Sequence, residues 1–225
     1  MLFVVATPIG NLKDITFRAL EVLKEVDLVL CEDTRVTKKL LNHYKIDTKT
    51  LSYHQHSKLN KLNYILELLK QGKSLALVSD AGTPGISDPG VKLIKKIKTE
   101  VPEVKIIPVP GASALITALS VSGIPADRFL FLGFLPKKKK RQKFLERITK
   151  EKYPVIFYES PHRILKTLEE IKKKFTQCKI SKNVTIFKEL TKKFETRFEG
   201  DIDKVIEELK KQKIKGEYVI IVHHD

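Results

Sequence analysis

This sequence of 225 residues lacks the features of several common protein classes. Its two cysteines, Cys31 and Cys178, lie far apart and show no metal-binding spacing, so neither a disulfide framework nor a zinc site is expected. No apolar run approaches the roughly 20 residues that a membrane-spanning helix requires. Residues 1–6 carry no basic leader and predict a first β-strand rather than a signal peptide. These absences predict a cytoplasmic protein without a membrane partner.

Familiar catalytic motifs are missing as well. Neither GxGxxG nor GxxxxGK followed by Ser or Thr occurs, which argues against a standard dinucleotide site and against a P-loop. Neither HExxH nor CxxC occurs, so the sequence favours neither metal catalysis nor covalent cysteine chemistry. We therefore expect no metal site.

Positive charge dominates the composition. Lysine and arginine total 43 residues against 27 acidic residues, which gives a formal net charge of +16. A surplus of this size points to a polyanionic partner, and nucleic acid is favoured over a membrane because no basic amphipathic anchor is evident. The alternative is a lysine-rich surface that only keeps the protein in solution. Composition does not separate these two interpretations.

Short apolar segments alternate with helical patterns in the first half of the chain. This alternation predicts β-α-β units, an open parallel sheet, and loops gathered at the carboxyl ends of the strands. Apolar helix faces recur with helical spacing near residues 15–26 and 59–69. The predicted strands are Phe3–Ala6, Leu28–Cys31, Leu75–Val78 and Val104–Val109.

The pattern breaks at Ser122–Pro125, where glycine and proline predict a boundary between two α/β domains, residues 1–121 and 125–225. A helix is predicted at Asp201–Lys210. No helical pattern separates the strands that end at Phe187 and Phe198, so an antiparallel portion, and hence a mixed sheet, is expected in the second domain. Its predicted strands are Phe129–Phe134, Val155–Tyr158, Val184–Phe187, Phe194–Phe198 and Tyr218–Val222.

Four loops rich in glycine, proline, aspartate and threonine follow predicted strands. Glycine lets the backbone approach a ligand, and the N–H groups of the next helix attract a carboxylate or phosphate. Asp80 is suited to accept hydrogen bonds from ribose hydroxyls or an amino group. Any one loop is explained as a turn, but four at one sheet edge predict a small-molecule site. The loops are Thr7–Leu12, Ser79–Gly85, Pro110–Ala114 and Phe134–Pro136.

Seven sequence blocks, in order along nearly the whole chain, carry a family resemblance. They are TPIGNLKDITFRAL (7–20), CEDTR (31–35), SDAGTPGISDPG (79–90), PGASAL (110–115), GFLP (133–136), FYESPHR (157–163) and KELTKKFE (188–195). The chain resembles the ribosomal RNA small subunit methyltransferase I family, a branch of the tetrapyrrole methylases. The resemblance implies transfer of a methyl group from S-adenosylmethionine to a cytidine 2′-hydroxyl in the decoding region of 16S rRNA. Many members continue past the GEYVIIV strand (216–222), whereas this chain stops at Asp225, so contacts from such an extension are not expected.

The resemblance also implies an architecture and a cofactor site. We expect a homodimer of two-domain subunits, with a mostly parallel sheet in the first domain, a mixed sheet in the second, and S-adenosylmethionine in the cleft between the domains. Glu159 and Leu190 would contact the cofactor from the second domain. The other implied contacts are Pro8, Ile9, Asp80, Ala81, Gly82, Thr83, Ile86, Ser113 and Ala114.

Methyl transfer from a sulfonium requires the hydroxyl to lie in line with the S–CH3 bond, and good alignment contributes about 7–11 kcal/mol. A ribose hydroxyl also benefits from a base or from a cation that stabilises the alkoxide. The alternative for each candidate is an ordinary ion pair or helix cap. The candidate bases are Glu32, Asp33, Glu159 and Glu189, and the candidate cations are Lys192 and Arg35.

A run of five cations directly follows the loop at Phe134–Pro136. Adjacent like charges repel one another and therefore gain from a polyanion, although many such runs are merely solvated. Because the run adjoins a predicted site loop, we expect it to contact RNA. Its residues are Lys137, Lys138, Lys139, Lys140 and Arg141.

A second basic candidate follows Ser160 and Pro161, which predict a helix start. His162 and Arg163 would then lie in the first turn, where cations oppose the helix dipole. An anion docked at that end would balance Arg163, so we expect an RNA phosphate or another acidic partner there.

Two other functions are compatible with these residues. A small-molecule methylase acting on a tetrapyrrole or another acidic metabolite would share the fold. A non-enzymatic RNA-binding module would share the basic charge. The basic run and the TPIGN and SDAGTP loops favour the RNA methyltransferase over the small-molecule methylase. Cofactor binding without turnover on any RNA would support the RNA-binding module instead.

Overall fold

Helices and strands alternate along the chain, for which the computed structural model describes residues 1–54, 59–136 and 140–224. The chain divides into two units, Met1–Ser113 and Ala114–Asp225. This division lies ahead of the break at Ser122–Pro125, because the helix Ala114–Ser120 packs on the strand Tyr218–His223 of the second unit. Within the described residues, no helix is both long enough and apolar enough to cross a membrane.

The first unit contains a five-stranded parallel sheet with the order β3-β2-β4-β1-β5. Its strands are β1 (Leu2–Val5), β2 (Leu28–Cys31), β3 (Thr50–Ser52), β4 (Leu75–Leu77) and β5 (Ile106–Val109). A 3-10 turn at Leu12–Asp14 precedes the first helix. The helices are α1 (Phe17–Glu25), α2 (Thr34–His43), α3 (Leu59–Lys70) and α4 (Gly90–Glu100).

Two apolar cores cover the two faces of this sheet. Side chains of α1 and α2, such as Leu23 and Leu41, pack with Val29 on one face. Side chains of α3 and α4, such as Ile65 and Leu93, form the other core. Successive side chains of a strand point to opposite faces, so strands covered on both sides are apolar throughout. This explains why short apolar runs in the sequence predict the strands.

The second unit contains a mixed sheet with the order β6-β7-β10-β8-β9. The β6–β7 pair is parallel, and the other three pairs are antiparallel. Its strands are β6 (Leu130–Phe134), β7 (Val155–Glu159), β8 (Asn183–Lys188), β9 (Thr196–Asp201) and β10 (Tyr218–His223). Its helices are α5 (Ala114–Ser120), α6 (Arg141–Lys150), α7 (Ile164–Cys178) and α8 (Ile202–Lys210).

One core joins α6, α7 and α8 to this sheet. Leu145, Leu168 and Val205 come from the three helices and pack with Phe157 and Ile220 of the strands. The predicted parallel first sheet and mixed second sheet are confirmed. The predicted helix start at Ser160 is wrong, because α7 begins at Ile164 after a separate turn.

Candidate functional site

Three loops of the first unit meet at the carboxyl ends of β1, β4 and β5. Thr7 and Gly82 exchange two backbone hydrogen bonds, of 2.9 and 3.0 Å. The Thr7 hydroxyl donates to the carbonyl of Ser79 at 3.1 Å, and the Thr83 hydroxyl donates to the carbonyl of Ala112 at 3.0 Å. Loops that are far apart in sequence therefore form one hydrogen-bonded edge, as expected of a parallel sheet.

Small residues allow the backbones of these loops to approach one another. Gly82 has a φ of 80°, and a Cβ at this position would lie 3.4 Å from the Cγ2 of Ile9. A Cβ at Gly111 would lie 2.9 Å from the Cβ of Ala6, closer than side chains pack. Glycine at these two positions therefore lets the three loops pack closely at the carboxyl ends of the strands.

The predicted cofactor residues of this unit differ in exposure. Pro8, Ile9 and Gly82 are buried in the loop contact, whereas Thr83 and Ser113 are half-buried. The exposed residues are Asp80, Ala81 and Ile86. The structure thus brings together residues 8–9 and 80–83, with Ser113 next to the Ala112 carbonyl that binds Thr83.

Carboxylates from the loops after β2 and β4 lie at the same edge. The Asp33 amide donates to Oδ1 of Asp80 at 3.0 Å, which links the loop after β2 to the loop after β4. Burial raises the pKa of the half-buried Glu32, and the negative charges of Asp80 and Asp88 raise it further. A carboxylate with a raised pKa is a stronger proton acceptor when it is ionised.

Arg35 and Asp33 form an exposed ion pair with an N–O distance of 2.6 Å. Hydrogen bonds from the Arg35 side chain and amide lower the pKa of Asp33 to about 2. The Arg35 side chain is 87% exposed, so water screens its charge. The pair does not favour Arg35 as the cation that stabilises an alkoxide.

A separate cavity of about 650 Å³ lies at the amino ends of β2 and β4, away from these loops. Lys24, Lys45 and Lys73 line it. They lie at or just beyond helix carboxyl ends, where a cation stabilises the helix dipole, and Lys73 pairs with Asp27 at 2.9 Å. These lysines have a structural explanation, so we assign the site to the loop edge instead.

In the second unit, Glu159 ends β7 and its side chain is fully buried. Its carboxylate accepts hydrogen bonds from the Ser160 amide and the Thr167 hydroxyl, both at 2.8 Å. It also pairs with Arg163 at 2.6 Å. Every oxygen of Glu159 is therefore engaged by the protein itself, which favours a structural role over that of the base.

The anion that balances Arg163 belongs to the same chain. The sequence predicts an external phosphate because it indicates a helix whose first turn contains Arg163, but Arg163 precedes α7 and pairs with Glu159. Its Nη1 also donates to the carbonyl of Leu135 at 2.9 Å. His162 is exposed.

Arg141 departs from the sequence-based expectation. Its side chain is 11% exposed, and it donates to Glu170 at 2.7 Å and to the Thr167 hydroxyl at 2.8 Å. A buried guanidinium with these partners is not available to RNA, so its assignment as an RNA contact is corrected. Lys140 is exposed, and Lys137, Lys138 and Lys139 lie outside the described residues.

The loop after β8 contains the remaining candidates. Lys192 donates to Glu189 and Glu217 at 2.9 Å each, and the Glu217 amide donates to Glu189 at 3.0 Å. Burial acts to raise the pKa of Glu189, but the hydrogen bonds from Lys192 and Glu217 outweigh it and lower the pKa. Burial likewise opposes the charge of Lys192, yet its two carboxylate partners raise its pKa. This makes Glu189 a weak base and keeps Lys192 cationic.

This loop is also strained. Glu189 and Thr191 have φ values of 55° and 65°, a conformation that is costly for a β-branched residue. The buried hydroxyls of Thr191 and Tyr218 have no hydrogen-bond partner among the described residues, and the Leu190 side chain between the two strained residues is buried. Strain of this kind collects at functional sites. No motif or spacing in the sequence indicates a role for Thr191 or Tyr218.

Comparisons with known proteins agree with this fold. Residues 1–206 match the family model described as Tetrapyrrole (Corrin/Porphyrin) Methylases. Ribosomal RNA small subunit methyltransferase I of Halalkalibacterium halodurans is 46% identical over 222 residues, which cover 98% of this chain and 75% of that protein. The protein of the same name from Thermotoga maritima is 45% identical over 221 residues, which cover 98% of this chain and 97% of that protein.

Solved structures show the same fold at low sequence identity. The cobalamin biosynthetic enzyme cobalt precorrin-4 methyltransferase CbiF has a TM-score of 0.74 and 18% identity, covering 99% of this chain and 94% of that one. Uroporphyrin-III C-methyl transferase from Thermus thermophilus, complexed with S-adenosyl homocysteine, has a TM-score of 0.65 and 16% identity, covering 99% and 96%.

Proposed function

Because this chain belongs to the ribosomal RNA small subunit methyltransferase I family of tetrapyrrole methylases, we propose that it methylates a cytidine 2′-hydroxyl in the decoding region of 16S rRNA. Family membership makes the chain an S-adenosylmethionine-dependent methyltransferase. Relatives at 44–48% identity bear a ribosomal RNA name, which does not favour the small-molecule methylase. The observation that carries the proposal is the pair of backbone hydrogen bonds between Thr7 and Gly82. These bonds join two loops, each of which belongs to a sequence block of the family, at one edge of the sheet.

The loop edge of the first unit fits the chemistry of the cofactor. Asp80 offers an exposed carboxylate to ribose hydroxyls or to an ammonium group, and Gly82 lets the loop after β4 pack closely against the loop after β1. S-adenosylmethionine supplies an electrophilic methyl group. The protein residues supply orientation and exclude water, so no metal has to be invoked. Contacts from Ala114, Glu159 and Leu190 of the second unit stay predictions.

Cofactor binding tests this assignment. Asp80→Ala removes hydrogen bonds to a charged acceptor, so the Kd for S-adenosylmethionine should rise about 10- to 100-fold. Asp47→Ala, an exposed aspartate of the same unit, is the matched control. Isothermal titration gives the Kd, and labelled methyl transfer to small-subunit RNA gives the activity. Equal affinities of Asp80→Ala and Asp47→Ala would remove Asp80 from the site.

Glu32 is the carboxylate that we propose as the base for the ribose proton. It is half-buried, its pKa is raised, and it lies at the same edge as Asp80. Glu32→Gln should lower kcat by about 100-fold or more while the Kd for S-adenosylmethionine changes little. Glu21→Gln on the exposed surface of α1 is the control. An unchanged kcat in Glu32→Gln would assign proton removal to another group.

RNA binding is proposed for the exposed Lys140 and His162, together with Lys137–Lys139. The net charge of +16 supports this proposal. Neutralising Lys137–Lys140 should lower the salt-dependence slope of RNA affinity by about 3, at about 0.7 per phosphate contact, and should leave the cofactor Kd unchanged. We also propose a cytoplasmic homodimer, as the family resemblance implies, and light scattering of the purified chain measures its oligomeric state.

A further inference from the structure

A β-bulge interrupts the pairing of β6 with β7 in the second unit. Between Phe131 and Phe134 the register shifts, so that three steps along β6 match two steps along β7. Gly133 lies inside this segment with a φ of 61°, a left-handed conformation that glycine adopts without steric cost. Bulges are rare in parallel pairs such as this one, and they redirect side chains, often next to active sites.

The bulge changes the face to which the last side chains of β6 point. Leu130 and Leu132 pack against the core under α6, α7 and α8. In a regular strand every second side chain shares a face, so Phe134 would come next in the core. Because of the extra residue, Leu135 occupies the core position instead. Phe134 lies on the opposite face with Phe131, where both rings contact the same tyrosine.

Three aromatic rings meet on that opposite face. The ring centroid of Tyr158 lies 5.1 Å from that of Phe131 and 5.4 Å from that of Phe134, at interplanar angles of 68° and 59°. Rings at these distances attract one another. Phe131 and Tyr158 are half-buried, whereas Phe134 is 55% exposed. The Phe134 ring is therefore held by a ring contact and still open to solvent.

Exposed basic side chains flank this ring. Arg163 donates to the carbonyl of the residue after Phe134 at 2.9 Å, and the exposed His162 directly precedes Arg163. Arg141 donates to the carbonyl two residues beyond Phe134 at 3.4 Å, and the exposed Lys140 directly precedes Arg141. These two contacts bring His162 and Lys140 close to the end of β6.

The carboxylates bound to the two arginines do not oppose an anion here. Glu159 is buried and pairs with Arg163 at 2.6 Å, and Glu170 pairs with Arg141 at 2.7 Å. An open aromatic ring beside exposed basic groups is the combination that binds single-stranded nucleic acid, because a base stacks on the ring and phosphates meet the basic groups. The flanking positive charge favours RNA over an apolar protein surface as the occupant.

We propose that Phe134, held by its contact with Tyr158, is a stacking platform for one unpaired nucleobase of the RNA substrate. This inference rests on the proposed RNA substrate and deepens it, because it names a residue that contacts a base. Every base has a π face, so the contact holds the strand without selecting the nucleotide.

Substitution of the ring tests the platform. Phe134→Ala should raise the Kd for small-subunit RNA by roughly 5- to 150-fold, the range for loss of one stacked base. Phe134→Leu keeps an apolar side chain without the ring and should lose a similar factor. The salt slope should stay at its wild-type value in both variants, because no charge is removed. Tyr64→Ala on α3 is the matched control, since Tyr64 is 54% exposed. Wild-type affinity in Phe134→Leu would overturn the platform.

A tryptophan at the platform reports stacking directly. The chain contains no tryptophan, so Phe134→Trp introduces a single indole ring. This variant should bind small-subunit RNA at least as tightly as the wild type, and its fluorescence should be quenched by the RNA, whereas that of Tyr64→Trp should not. Decoding-region oligonucleotides that each carry one abasic nucleotide keep every phosphate. The abasic site at the stacked position should abolish quenching, and equal quenching by the whole set would contradict stacking.

Further readouts identify other occupants of the ring. Quenching of Phe134→Trp by S-adenosylmethionine alone would place the cofactor's adenine on the ring. A lower mass of Phe134→Ala in light scattering would place the ring in a subunit interface. Either result overturns the platform. Phe134→Ala should keep the cofactor Kd and the midpoint of thermal unfolding of the wild type, which shows that it folds.

Steady-state kinetics separates this inference from the proposed function. The platform predicts a raised KM for small-subunit RNA in Phe134→Ala. An unchanged KM on RNA that the wild type does methylate would refute the platform alone. Wild-type protein that neither binds nor methylates small-subunit RNA would refute the proposed function, and the platform with it.

Discussion

Replacing Gly216 by alanine tests whether the Glu189 carboxylate is held in place. Gly216 has a φ of 85°, and a Cβ at this position would overlap the Cγ and the carboxyl group of Glu189. An exposed glutamate would simply turn away. Glu189, however, accepts hydrogen bonds from Lys192 at 2.9 Å and from the Glu217 amide at 3.0 Å, so moving it breaks both.

Gly123 provides a matched control in the same unit. It has a φ of 74°, and a Cβ there would meet nothing within 4 Å. Gly123→Ala therefore bears only the cost of a left-handed residue, about 1–2 kcal/mol. Gly216→Ala bears that cost and also loses two hydrogen bonds to a charged group. Allowing for partial exposure, we expect Gly216→Ala to lose about 2 kcal/mol more than Gly123→Ala.

Urea unfolding followed by circular dichroism measures both variants. The m values should match the wild type, so that differences in midpoint report differences in the free energy of unfolding. If the two variants lose equal stability, Glu189 moves freely and the reasoning about this loop is wrong.

Three other predictions concern single contacts. Gly111→Ala should destabilise the protein by about 1–3 kcal/mol through overlap with Ala6, and adding Ala6→Gly should restore both thermal stability and cofactor affinity. Lys182→Met should lower the free energy of unfolding by about 1–3 kcal/mol, because two backbone carbonyls lose their donor. Burial lowers the pKa of Lys182, so the unfolded state binds this proton more tightly than the folded state. The free energy of unfolding of the wild type should therefore increase relative to that of Lys182→Met as pH rises toward 10.5. In Arg35→Gln, NMR titration should show the pKa of Asp33 rising from about 2 toward 3.8. Any stability that this exposed pair contributes is present above pH 3.8 and lost as pH falls through about 2; an unchanged titration would contradict the pairing.

Much of the fold could be predicted because most strands are buried on both faces. Eight of the nine strands predicted from the sequence begin or end within one residue of the observed strand on at least one side, as at Leu28–Cys31 and Leu75–Leu77. Strand β3, Thr50–Ser52, was missed because it is a three-residue edge strand with one apolar side chain. Pattern reasoning depends on repetition, and three residues provide none.

The loop edge of the candidate site was also predictable, because parallel strands carry their following loops to the same edge. The partners of individual charges were not. Arg141 ends a run of five cations in sequence, yet its side chain is buried against Thr167 and Glu170 of α7. Ser160 and Pro161 have the composition of a helix start, but the ion pair between Arg163 and Glu159 depends on how the side chains pack. Neither spacing nor composition records such packing.

The most direct test of the central claim is the identity of the methylated nucleoside. The chain is incubated with methyl-labelled S-adenosylmethionine and small ribosomal subunits that lack the modification, and the RNA is digested to nucleosides. The account predicts that the label elutes as 2′-O-methylcytidine. Label on a base or on another nucleoside, or no label from protein that binds the cofactor, would contradict it.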